Sequence, residues 1–223
     1  MDKRTIVVGD VHGCLDEFRA LVQLVDYRQG FDRLIVAGDL VDRGPDSAGV
    51  VSYAMSIGAE AVQGNHDAKL LRRRGHIQKA IANPKYRNPM YPDQDQENTI
   101  ARLTEDQARW LGELPYYISL PEYNVLVVHA GFAPGVSLER QSKEIMTMVR
   151  YISLNTHKML PLAMPGFRQP DNSVFWANVW DGPQDVTAAG ASGMRRPEWG
   201  GGAGLSGWRR EGGFSIAGAV RGW

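Results

Sequence analysis

The chain has 223 residues, enough for one domain with a sizeable core. Its 25 Lys and Arg balance 25 Asp and Glu, and 43% of its residues are apolar. These values exclude a disordered chain, a collagen or a coiled coil as whole-chain readings, and they give no general field for nucleic acid or an anionic membrane.

The single cysteine, Cys14, excludes an internal disulfide framework and any multi-cysteine zinc site, and a reducing compartment is the simpler inference. No stretch approaches the roughly 18 apolar residues of a membrane span. Met1 to Thr5 runs directly into the strand-like Ile6-Val7-Val8, which leaves no room for a signal peptide. The expected location is therefore cytoplasmic, with no membrane partner; oligomeric state is not legible.

Strand and helix signals alternate along the chain. Thr5–Gly9 is a short β-branched run, and Cys14–Tyr27 carries a helical stripe of Leu15, Phe18, Leu21, Val22 and Val25. Arg33–Gly38 predicts a buried strand, Asp46–Ile57 a helix, Ala59–Gln63 a third strand and Ala68–Arg74 a short helix with a basic face. Asn83–Asp95, with three Pro and two Asp, predicts a surface loop. Thr104–Leu114 predicts a helix opened by a capping box, Thr104 with Gln107. Tyr116–Leu120 and Asn124–Val128 predict two strands joined at Pro121-Glu122. The alternation predicts an α/β fold with a largely parallel central sheet.

Residues 1–182 read as one compact unit. The last 41 residues, Pro183–Trp223, hold 11 of the 25 glycines and no Lys, His or Cys, and read as a disordered or non-native tail.

Four of the strand-like segments end in polar clusters. They are Gly9-Asp10-Val11-His12-Gly13, Gly38-Asp39-Leu40-Val41-Asp42-Arg43-Gly44, Gly64-Asn65-His66-Asp67 and His129-Ala130-Gly131. Sites in open α/β sheets form at the carboxyl ends of strands, so the clusters are expected to meet on one rim. Asp10, His12, Asp39, Asn65 and His129 supply oxygen and imidazole donors without thiolate, a set suited to Mn²⁺, Fe²⁺ or Zn²⁺. Asp39 has two oxygens and can bridge two ions, which together clamp a phosphoryl displacement and acidify a water. No Ser or Cys nucleophile stands among the clusters, so no covalent phospho-enzyme is expected.

This pattern resembles the calcineurin-like metallophosphoesterases of the phosphoprotein-phosphatase superfamily, over about residues 4–182. Gly64-Asn65-His66-Asp67, with Asp in last place, is similar to the dinucleoside-tetraphosphatase-like branch. The resemblance implies a central β-sandwich flanked by helices and two divalent metal ions, with Mn the first choice and Fe or Zn as alternatives. It implies that Asp10 and His12 bind the first ion, that Asp39 bridges, and that Asn65 and His129 bind the second. It implies His66 as the general acid, Asp42 as the carboxylate that orients it, and Arg43 as a phosphate-gripping donor. Arg150 is the candidate for a further phosphate-binding arginine.

The implied activity is hydrolysis of phosphoester or phosphoanhydride bonds by metal-bound hydroxide. The expected substrates are nucleotide polyphosphates or capped RNA 5′ ends. Two alternatives stand: a Ser/Thr phosphoprotein phosphatase, and a catalytically impaired relic acting as a binding protein.

The resemblance lacks one part. The family's fifth motif is a strand ending in Gly-His, whereas after His129 this chain has only His157, without a preceding Gly or apolar strand. Weaker binding of the second metal, reduced activity, and missing or replaced closing strands are therefore expected. Elsewhere bland readings hold first place. Arg72-Arg73-Arg74 reads as a solvated face, His76 as a residue on a solvated helix end, Cys14 as a packed residue, and Trp176 and Trp180 as core aromatics.

Overall fold

A computed structural model describes residues 4–156, 158–160, 171–180, 187–190 and 219–220. In chain order the elements are β1 (Thr5–Val8), α1 (Leu15–Leu24), β2 (Arg33–Val36), α2 (Ser47–Ser56), β3 (Glu60–Ala61), α3 (Asn65–Ala82), α4 (Gln94–Arg102) and α5 (Glu105–Glu113). They continue with β4 (Tyr117–Leu120), β5 (Val125–Val128), α6 (Lys143–Met148), β6 (Tyr151–Ser153), β7 (Met159–Leu160), β8 (Ser173–Phe175), β9 (Thr187–Gly190) and β10 (Ala219–Val220). No helix among the described residues is long and apolar enough to cross a membrane.

The strands form three sheets, ordered β10-β1-β2-β3, β4-β5-β9 and β7-β6-β8. β1, β2 and β3 are parallel, with Ile6 opposite Leu34 and Val36 opposite Ala61. Side chains alternate across a strand, so each strand feeds two cores. Val7, Ile35 and Ala37 face one way and pack with Ile118, Leu120 and Val127, closing the first two sheets into a sandwich. Ile6, Val8, Leu34 and Val36 face the other way and pack under Phe18, Leu21, Val50, Val51, Leu70 and Leu111 from the helices. Leu126 and Val128, on the outer side of β5, pack with Phe132, Met146, Ile152 and Trp176. Each fully buried aliphatic or aromatic side chain contributes roughly 1.5–3 kcal/mol.

Several boundaries differ from expectation. α3 begins at Asn65 rather than Ala68 and runs through Gly75 to Ala82. A Cβ at Gly75 would meet nothing, so that glycine faces open space and only weakens the helix, by about 1 kcal/mol relative to Ala. The expected Asn83–Asp95 loop is cut short by α4, whose N-cap Asp93 accepts from the Gln96 amide at 3.2 Å. The capping box at Thr104 forms as read: its hydroxyl accepts from Gln107 N at 3.2 Å. Arg73 is buried, not solvated, and His76 stacks on Tyr86 within α3 instead of lying at a helix end. Trp176 is a core aromatic as expected, edge-on to Phe132.

Two short parts of the Gly-rich tail pair as strands, β9 parallel to β5 and β10 antiparallel to β1. Composition led to no expectation of strands in those six residues. The rest of the tail, and His157, lie outside the described residues.

Asp32, just before β2, is an internal anchor. Its enclosed carboxylate accepts from Arg4 Nη2 at 2.6 Å, Arg4 Nε at 3.1 Å and Arg28 N at 2.9 Å. The Arg4 hydrogen bond holds its pKa far below the ordinary carboxylate range. A lowered folded pKa stabilises above the unfolded pKa and fades as pH falls towards the folded one. Asp32→Asn is expected to lower unfolding free energy by about 1.5–3 kcal/mol at neutral pH. The gap to the parent chain should narrow as urea titrations move to acid pH.

Candidate active site

The four clusters arrive at one place, as parallel β1 and β2 require. The loop after β1 is stitched to the loop after β2 by Val11 N, His12 N and Gly13 N, which donate to the carbonyls of Asp39, Asp39 and Leu40 at 3.1, 2.8 and 2.8 Å. His12, Asp39, Asp42 and Arg43 all adopt left-handed backbone conformations, with φ of 48°, 52°, 70° and 69°. Each costs roughly 1–2 kcal/mol for an L-residue, and such strain concentrates at functional loops.

Two glycines permit the close approach. A Cβ at Gly38, where φ is 92°, would lie 2.7 Å from His129 Nδ1 and 2.9 Å from Gly64. A Cβ on Gly64 would collide with the Asp39 amide and carboxylate.

The donor atoms face one another. Asp39 Oδ1 accepts from His66 N at 2.9 Å, at the positive N-terminal end of α3. Its other oxygen, Oδ2, lies 3.6 Å from His12 Nε2 and 3.5 Å from His129 Nε2. Asp10 Oδ2 lies 3.7 Å from His12 Nε2, and Asp10 Oδ1 lies 3.9 Å from His129 Nδ1, so Asp10 also reaches towards both imidazoles. Each imidazole is oriented by a backbone carbonyl: Nδ1–H of His12 donates to Val41 at 3.0 Å, and Nδ1–H of His129 donates to Ala37 at 2.9 Å. That tautomer aims an Nε2 lone pair of each ring into the cluster. Asn65 Oδ1, also an acceptor, faces His129 Nε2 at 3.0 Å.

Acceptors crowded together without a donor are what a cation resolves. His12 Nε2 and Asp10 Oδ1 are buried and have no hydrogen-bond partner, a costly state for polar atoms unless something binds them. Asp10, Asp39 and His129 offer three ligand atoms within 4.8 Å of one another, and so do His12, Asp39 and His66. The residues therefore fit divalent ions in donor chemistry and in spacing. Burial pushes the His12 imidazole pKa down, towards the neutral ligand form. Burial also pushes the Asp10 carboxyl up to about 6, with Asp39 adding to the rise and His129 opposing it.

His66 belongs less well to a metal group than its distance suggests. Its Nδ1 is 2.7 Å from Asp42 Oδ2, and its Nε2 is 3.2 Å from the Arg43 guanidinium, a poor neighbour for a second cation. The Asp42 hydrogen bond raises the His66 pKa, which favours a ring that can carry and donate a proton. Arg150 lies close enough to Asp10 and Asp39 to feel both charges, while burial lowers its own pKa. Of the residues read from sequence, Asp10, His12, Asp39, Asp42, Arg43, Asn65, His66 and His129 are gathered here, with Arg150 in electrostatic range.

Three buried polar residues near the site had no supporting role assigned from the sequence. Asp67 accepts from the amides of Asp39, Leu40, Val41 and Gly64 at 2.9, 3.0, 3.3 and 3.0 Å, tying two ligand loops together. Burial and neighbouring Asp39 push its carboxyl up to about 7, while the amide donors pull the other way. Gln96 and Arg73 are the other two. Asp67 had a signal, since it closes the third cluster; Gln96 had none.

Residues 3–188 match the calcineurin-like phosphoesterase family. A symmetrical bis(5′-nucleosyl)-tetraphosphatase from Psychromonas ingrahamii is 33% identical over 168 residues, covering 73% of this chain and 56% of that protein. One from Shewanella sp. (strain ANA-3) is 36% identical over 144 residues, covering 63% and 49%. The chain thus spans about half the length of these curated relatives. A crystal structure bearing a provisional assignment as a diadenosine tetraphosphatase superposes with a TM-score of 0.63 at 34% identity, covering 84% of this chain and 74% of that one.

Proposed function

The chain belongs to the calcineurin-like phosphoesterase family, and on that footing we propose that it hydrolyses phosphoanhydride bonds in nucleotide polyphosphates, dinucleoside tetraphosphates first among them. One observation carries the reading. A single buried carboxylate oxygen, Asp39 Oδ2, stands between two imidazole nitrogens, each aimed at it by a backbone carbonyl. The choice of substrate is supported by the relatives named symmetrical bis(5′-nucleosyl)-tetraphosphatases.

In this reading Asp10 and His12 would hold one ion, Asn65 and His129 would hold the other, and Asp39 would serve both. Mn²⁺ is the metal proposed, with Fe²⁺ and Zn²⁺ compatible with the same nitrogen and oxygen donors. Bound ions supply Lewis acidity and an acidified water at the phosphorus centre. The chain's own groups do the rest. Arg43 and Arg150 bring guanidinium donors to the phosphate oxygens and offset charge that builds there. His66 delivers a proton from Nε2 to the departing oxygen, while Asp42 at Nδ1 fixes the ring and stabilises its charged form. Arg43 Nη2 lies 3.2 Å from that Nε2, which sets its guanidinium beside the proton donor.

Besides shared Asp39, the carboxylate that faces His129 is Asp10, which this reading gives to the first ion. The strand β9 ends at Gly190, opposite Val128, and the sequence continues with Ala191. The second ion should therefore bind more weakly than the first.

The test is product release from diadenosine tetraphosphate with Mn²⁺, run beside a capped RNA and a Ser/Thr phosphopeptide. Two ADP per substrate molecule is the expected result. Turnover of the phosphopeptide without nucleotide hydrolysis would overturn the substrate assignment.

A further inference from the structure

Gln96, in the first turn of α4, is 2% exposed, and Arg73, in the middle of α3, is 3% exposed. Neither belongs to the four sequence clusters. Arg73 Nε donates to Gln96 Oε1 at 2.7 Å. That contact fixes which end of the amide carries the oxygen, and it leaves Nε2 to donate to Asp42 Oδ2 at 2.6 Å. The same Asp42 oxygen accepts from His66 Nδ1 at 2.7 Å. A line of hydrogen bonds, buried at its Arg73–Gln96 end and partly buried at Asp42 and His66, thus runs from guanidinium to amide to carboxylate to imidazole.

Burial makes the Gln96 amide expensive unless it is bonded, because an unpaired buried amide costs about 1–3 kcal/mol, and here both its oxygen and its nitrogen are bonded. An apolar side chain of similar volume would join α3 to α4 without that risk. The amide also does something a charged residue would not. It donates to Asp42 without being a cation, so the carboxylate keeps its full negative charge for the imidazole. A Lys or Arg at this place would form an ion pair with Asp42 and weaken its hold on His66. Arg73, 3.9 Å from Asp93 and 3.7 Å from Glu97, is neutralised on its far side.

We propose that Gln96 is a positioning residue, set by Arg73, which holds Asp42 where it keeps His66 aimed at the leaving oxygen. The inference rests on the phosphoesterase reading for what His66 does, and on geometry alone for how His66 is held.

The experiment uses the full chain as Gln96→Leu, which removes both contacts, and as Gln96→Glu, which keeps the Arg73 contact but cannot donate to Asp42 when ionised. Metal content should match the parent chain. Hydrolysis of phenyl phosphate, a poor leaving group, should fall about tenfold or more in kcat, within the range of a general acid's contribution. Hydrolysis of 4-nitrophenyl phosphate, which needs little protonation, should fall far less, with KM unchanged in both cases. In a His66→Asn background, Gln96→Leu should cost nothing further. In the metal-free protein, the downfield proton resonance of His66 Nδ1–H, identified by its loss in His66→Asn, should move in both Gln96 variants.

Equal losses on the two substrates, an undiminished loss in the His66→Asn background, or an unmoved resonance would each overturn the proposal. A parent chain that hydrolyses neither aryl phosphate nor diadenosine tetraphosphate would overturn the phosphoesterase reading instead. The resonance would then still decide whether Gln96 positions His66.

Discussion

Asp39→Asn is expected to abolish stable metal binding and to lower turnover by about a thousandfold or more, the scale of several kcal/mol of lost charge stabilisation. The side chain has no spare oxygen. Oδ1 is taken by the His66 amide at the head of α3, and Oδ2 stands between His12 and His129. An Asn that keeps the first contact turns its NH₂ towards both imidazoles and offers no lone pair to an ion.

The same change should stabilise the metal-free protein. Asp39 lies among Asp10 and Asp67, and its charge raises the pKa of each. Removing one like charge relieves that repulsion, a stability gain bought with function. Melting in chelator should therefore show a higher midpoint for Asp39→Asn than for the parent chain, while metal analysis by mass spectrometry shows loss. A variant that retains metal and full turnover would contradict the role assigned to Asp39.

The second large effect is expected at His66. His66→Asn should lower kcat on diadenosine tetraphosphate by about 10²–10⁴-fold, the usual contribution of a positioned general acid. Metal content should stay unchanged. This separates two uses of the ring, because His66 also lies near enough to His12 and Asp39 to count among metal-binding groups. Nδ1 is committed to Asp42 and Nε2 borders Arg43, which favours proton transfer over ligation. Loss of an ion from His66→Asn would reverse that assignment.

Much of this site was legible because its parts are local. An apolar run followed by a Gly-Asp cluster places a ligand at a strand end; β1 and β2 obey that rule, and β5 ends directly on His129. The parallel register of β1 and β2 then brings their ends to one rim. The donors that complete the picture are not local. Gln96 sits in a polar stretch, Gln94-Asp95-Gln96-Glu97-Asn98, with no apolar stripe to mark a buried face. Its burial depends on Arg73, 23 residues away, and on Asp42, 54 residues away. Arg73 itself is hidden in a run of three arginines, where composition favours a solvated face.

The length of α3 was missed for a different reason. Gly75 interrupts its pattern, but the helix continues because the helical turns on either side pack through Leu70 and through the stacked pair His76 and Tyr86. The strands β6, β7 and β8 are only two or three residues long, too short for periodicity to reveal, and tertiary pairing decides them.

Anomalous diffraction from Mn²⁺-soaked crystals, recorded on both sides of the metal edge, reads the central claim directly. Peaks should lie beside Asp39 Oδ2, the stronger towards Asp10 and His12 and the weaker towards Asn65 and His129. Manganese found only at other surfaces, with this cluster of acceptors left without a peak at saturating metal, would contradict the account.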